Sequence, residues 1–98
     1  MAISTVVSGY DAVMRIARDH PAWLPFVRVC YQHPSAEFKG QYILEKLNAR
    51  PGRTLRPLEQ WGVLERVRVV AGGHHAWYRL RDRDGVGRAL RQLQGRLA

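Results

Sequence analysis

Residues 54–80, TLRPLEQWGVLERVRVVAGGHHAWYRL, read as a short helix, a tight turn at Gly62 and two strands joined at a Gly-Gly tip. Leu55, Leu58 and Trp61 recur every three residues, which sets them on one helical face. Thr54 suits the N-cap, where a side-chain oxygen takes up an amide of the first turn that has no intrahelical partner. Pro57 is tolerated for the same reason, since it falls within that first turn. Gly62 fits the left-handed position that closes a helix. Val63 and Leu64 then open a strand, and Val67, Val69 and Val70 keep it rich in β-branched residues. Gly72-Gly73 supplies the positive-φ residues of a hairpin tip. In the return strand Ala76, Tyr78 and Leu80 alternate with His75, Trp77 and Arg79, so one side is mostly apolar and the other sets His and Arg around a Trp.

The phrases Leu-Glu-Gln-Trp-Gly-Val-Leu-Glu-Arg-Val (58–67) and Trp-Tyr-Arg-Leu (77–80), in this order of helix, glycine turn and basic hairpin, resemble the second half of a winged helix-turn-helix domain. They look like the recognition helix and wing of small bacterial transcription regulators of the MarR and ArsR kind. The resemblance implies a mainly α fold with a small β-hairpin, carrying additional N- and C-terminal helices, and double-stranded DNA as partner. The linker Arg50-Pro51-Gly52-Arg53 departs from the usual pattern, in which a turn of three or four residues leads to a helix opening with small polar side chains.

Ninety-eight residues make one domain, and with 46% apolar residues a core forms without staples. Cys30 is the only cysteine, which excludes an internal disulfide and fits a reducing cytoplasm. No apolar run approaches the roughly 18–20 residues that span a bilayer. The opening MAISTVVSGYDAV has no basic n-region, so no signal peptide is expected. A cytoplasmic protein, associated with the nucleoid when bound to DNA, is the expectation. The net charge of +8 is uneven: residues 1–49 hold five basic and four acidic side chains, net +1, whereas residues 50–98 hold eleven and four, net +7. Fourteen Arg against two Lys reflect an Arg-preferring composition, but not why the excess sits in one half. A polyanion would meet the half that contains the helix and wing.

Upstream, Ser8 with Asp11 resembles a capping box and starts an N-terminal helix over 8–19, with a stripe of Tyr10, Val13, Met14 and Ala17. The winged-helix core is expected over 22–80. Its first helix runs from Ala22 to Gln32 with Trp23, Phe26, Val27, Cys30 and Tyr31 in a core stripe, and Cys30 reads as a buried, inert thiol. Two readings stand for the next segment. Either one helix runs from Ala36 to Leu47, with Phe38, Tyr42, Ile43 and Leu47 in register, Gly40 weakening it and Asn48 stopping it; or Glu37-Phe38-Lys39 is a short strand pairing with the wing. After the hairpin either Asp82 or Asp84 can cap a final helix over 84–97, where Val86, Leu90, Leu93 and Leu97 form a seam. The two terminal stripes either pack on each other or join two copies into a homodimer matching two half-sites.

The DNA-contacting residues expected from this pattern fall in two groups. Arg53, Arg56 and Gln60 lie on the helix face away from Leu55 and Leu58. There arginine can fork onto guanine and glutamine can pair with adenine. Arg50 and the amides near Thr54 suit phosphates. On the wing, Arg68, His74, His75, Trp77 and Arg79 surround the tip. No cofactor or metal is expected: His74 and His75 are neighbours in a strand and point to opposite faces, and His20, His33 and Cys30 lack zinc spacing. No nucleophile elbow, phosphate-cradling glycine loop or carboxylate pair marks an enzyme. Two other functions compete, a winged-helix module that binds protein, and single-stranded nucleic acid or RNA stacking on Trp77.

Overall fold

The computed structural model describes residues 8–50, 52–69 and 76–97. Helix α1 (Gly9–Asp19) is followed by a 3-10 turn (Pro21–Trp23), α2 (Leu24–Gln32), β1 (Glu37–Lys39), α3 (Gly40–Lys46), α4 (Arg56–Gln60), β2 (Leu64–Val69), β3 (Ala76–Leu80) and α5 (Arg83–Leu97). The strands form an antiparallel sheet in the order β1-β3-β2, so this is an α+β fold. The Gly-Gly tip and His74-His75 lie outside the described residues.

The strand reading of Glu37-Phe38-Lys39 is the one adopted: Glu37 pairs with Arg79, Phe38 with Tyr78 and Lys39 with Trp77. A helix from Ala36 is therefore excluded, and α3 begins at Gly40. Tyr42, expected among core residues, is 46% exposed, because a helix starting four residues later turns that position to solvent. It packs edge-on against His33 instead. Gly40 is buried beneath the sheet, where a Cβ would stand 2.9 Å from Cε2 of Tyr78. Gly40→Ala is therefore expected to destabilise the protein by about 1–3 kcal/mol through overpacking. In an unbroken 36–47 helix the same change would help by up to about 1 kcal/mol. The sign of the shift in a urea titration separates the two.

The α1 face that is buried consists of Ala12, Val13 and Ile16, with Tyr10, Met14 and Ala17 flanking it, so the expected stripe is rotated by part of a turn. It packs on Val86, Ala89 and Leu90 of α5 within the same chain. The seams proposed for a homodimer thus meet each other. Ser8 caps α1 by accepting from the Asp11 amide at 3.1 Å. Of the two aspartates that could cap α5, Asp82 does so, accepting from the Gly85 amide at 3.2 Å. Its other oxygen accepts from the Gly9 amide at 2.8 Å, so one carboxylate ties the starts of both helices together.

Below these helices Phe26, Val27 and Cys30 of α2 join Ile43, Leu55, Leu58, Val63 and Leu64 in one core. Burial pushes the Cys30 thiol up to about 12, as expected of an inert cysteine. Asn48 adopts φ 52° at the end of α3, and Gly62 adopts φ 90° after α4, both at the predicted stops.

Candidate functional site

The segment from Arg50 to Gln60 carries most of the expected contacts, but its helix is shorter than the spacing suggests. Only Arg56–Gln60 is helical, and Leu55 takes the N-cap place. Thr54 still contributes, since its hydroxyl accepts from the Arg56 amide at 3.3 Å. Pro57 sits in the first turn, and Leu55 and Leu58 anchor the element in the core. Five residues give little more than one turn, so this helix does not extend a long reading face.

Arg53 consequently is not on the helix. It lies in the loop before it, with its guanidinium 4.9 Å from the Trp23 ring centre and 5.8 Å from that of Phe26. Trp23 in turn meets Trp61 edge-to-face at 5.9 Å, and His20 stacks on Trp61 at 4.2 Å. The apolar side of the short helix therefore supports an aromatic block, and that block holds Arg53 in place. Such a stack favours the cation by about 0.5–1 kcal/mol at an exposed site and restricts its motion. Arg50 and Arg56 are exposed on either side of Arg53, and no carboxylate pairs with any of the three among the described residues. Gln60 is exposed at the far end of α4.

The wing side is different. A bulge at Val67 opposes two residues of β2 to one of β3, so that Arg68 pairs with Trp77 although Arg66 pairs with Tyr78. Without it, strict alternation would leave Arg66 and Arg68 on one face. With it, Arg66 faces the core side and Arg68 joins Glu65, Glu37, Lys39, Trp77 and Arg79 on the outer face. Both carboxylates of this face are paired. Arg68 donates to Glu37 at 3.2 Å and Arg79 to Glu65 at 3.2 Å. Donation from Arg79 holds the Glu65 carboxyl below the usual carboxylate range. Trp77 is half-buried, with the Arg68 guanidinium 4.5 Å and the Lys39 ammonium 5.6 Å from its ring centre. Arg68 and Arg79 therefore each already have a carboxylate partner, which sequence spacing alone does not show. Their carboxylate partners come from β1 and from across the β2–β3 ladder. His74 and His75 fall outside the described residues.

Arg66, which the pattern did not single out, turns toward the helices and donates to Glu59 at 3.0 Å. Together with Arg50, Arg53 and Arg56 it lines a groove between α3 and the inner face of β2 and β3. Glu45 is the carboxylate of that lining, and it already accepts from Gln41 at 3.1 Å. Its place two residues after Leu64, on the same strand face, was the signal that could have placed it. Among the described residues, no three His, Cys, Asp or Glu side chains stand together as a metal site. No helix among them is long and apolar enough to cross a membrane.

No family model, curated protein or solved structure matches the chain, so what it does must be argued from these residues.

Proposed function

We propose that this chain is a winged helix-turn-helix protein that binds double-stranded DNA and regulates transcription by occupying an operator. The fold part of that reading is supported by the order helix, strand, helix, helix, strand, strand from α2 to β3, with β1 at the edge beside β3. The observation that carries the binding part is the edge formed by Arg50, Arg53 and Arg56. It holds three exposed guanidiniums with no carboxylate partner among the described residues, one of them fixed over an aromatic block. Such an edge suits phosphates, and Gln60 is the side chain left to meet a base. The outer sheet face, where Arg68 and Arg79 already hold carboxylates, serves as a flank rather than a second arm. Stacking of single-stranded bases on Trp77 is disfavoured, because a base would have to displace Arg68 from the ring. A homodimer matching two half-sites would have to pair through the rim of the α1–α5 seam, at Met14 and Leu93, or through other surfaces.

The test is a fluorescence-anisotropy titration of a labelled mixed-sequence duplex at several salt concentrations, with single-stranded DNA and RNA alongside. Duplex binding should weaken steeply with salt, each contacted phosphate adding about −0.9 to the log–log slope. Absence of duplex binding at low salt would remove the proposal, and preference for a single strand would replace it.

A further inference from the structure

The groove beside the arginine edge is more than a duplex backbone requires. It encloses about 520 Å³ between α3, the 49–56 segment and the β2–β3 sheet. That volume lies within the range of about 300–1,000 Å³ typical of small-molecule sites. Its inner wall is apolar, formed by the Tyr78 ring with Leu44, Leu55 and Ala76. Four arginines and Glu45 line it, with Arg66 paired to Glu59. Two of them are pre-positioned, Arg53 over Trp23 and Arg66 by Glu59. Phosphates on the outside of a duplex are satisfied by a flat cationic edge and have no use for a recess with an apolar wall. A compact ligand with a planar body and a charged tail uses both.

The Tyr78 hydroxyl adds direction. The residue is buried but lines the groove. Its charged neighbours are Glu59, Arg66 and Arg56, the last two at the groove's mouth. Gln41, on the opposite wall, carries an amide able to donate and accept.

We propose that this groove is a receptor site for a nucleoside polyphosphate, with the base against Tyr78 and the phosphates among Arg50, Arg53, Arg56 and Arg66. Because three of those arginines also form the edge assigned to DNA, the ligand and the duplex compete. The competition rests on the DNA-binding reading, whereas the receptor site does not.

Calorimetric titration with ATP, pyrophosphate and adenosine, followed by displacement of the labelled duplex by ATP, tests both. ATP should bind one to one, more tightly than either fragment, and should release the duplex. Arg66 is outside the DNA edge, so Arg66→Gln should weaken ATP about tenfold while duplex affinity changes less than about threefold. Tyr78→Phe, which removes only the hydroxyl, should weaken ATP by a few-fold. No binding of ATP, pyrophosphate binding as tightly as ATP, or an unchanged affinity in Arg66→Gln would overturn the receptor site. Binding of ATP without any binding of duplex would support the receptor site and remove the operator reading. Binding of duplex without ATP would do the reverse.

Discussion

Replacing Arg50, Arg53 and Arg56 together by glutamine is expected to lower duplex affinity on the order of a hundredfold near 50 mM salt. The log–log salt slope should become shallower by about 2.7, three phosphate contacts at about 0.9 each. Glutamine keeps a polar side chain of similar reach, so the loss reports charge and forked donors rather than a hole in the surface. All three positions are exposed, and the fold should survive with its core intact. The control is Arg15→Gln with Arg18→Gln on α1, where Arg18 is already paired with Asp19 at 2.9 Å. Arg68→Gln with Arg79→Gln is the second control, since those cations already answer Glu37 and Glu65. Each control should cost less than about threefold after allowance for the general loss of charge. Comparable losses in all three variants would mean that net charge alone attracts DNA and that no edge has been built for it.

The second large effect concerns stability, at Asp82. Asp82→Ala removes the cap of α5 and leaves the amide of Gly9, a buried residue, without its acceptor. A lost cap costs about 0.5–2 kcal/mol, and an unsatisfied buried donor about 1–3 kcal/mol. A total of about 2–4 kcal/mol is a large share of the ~5–15 kcal/mol that holds a domain of this size. The melting temperature should fall by on the order of 10–20 °C. Asp82→Asn retains a capping oxygen but cannot serve both amides, and should fall between the two.

The same carboxylate predicts a pH dependence. The amides of Gly9 and then Gly85 donate to its charged form and hold its carboxyl below the usual carboxylate range. In the unfolded chain it titrates near 3.9. Its contribution is therefore complete above about pH 4 and is lost as pH falls through the lowered folded value. Asp82→Asn should flatten that acid limb in urea titrations repeated at several pH values. Gly85→Ala attacks the same junction from the other side, since a Cβ there would stand 2.8 Å from the Tyr10 amide nitrogen and press on the Asp82 carboxylate. If Asp82→Ala unfolds within about 0.5 kcal/mol of the parent, the junction does not hold the two helices together.

Much of the architecture could be read locally. The stops at Asn48 and Gly62, the cap at Ser8, the apolar stripe of α2 and the inert Cys30 each depend on residues within one or two turns of chain, where φ preference and periodicity act directly. Glycines were harder to place. Gly40 reads as a weakness in its helix, yet it, like Gly85 at the start of α5, sits where another element comes too close for a side chain. That reason is invisible until the partner, Tyr78 or Asp82, is in position.

The candidate site divides in the same way. Sequence alone determined that the excess charge lies in the second half, and that a short helix and a hairpin lie within that half. Only the tertiary structure decided which arginines remain available. The bulge at Val67 moved Arg68 across the sheet, β1 delivered Glu37 to it from 31 residues away, and the late start of α4 left Arg53 in the loop over Trp23. Periodicity fixes the face on which a side chain emerges, because that follows from backbone geometry within one element. Whether a charge on that face is neutralised depends on which other element folds beside it, and a repeat pattern along one segment holds no record of that.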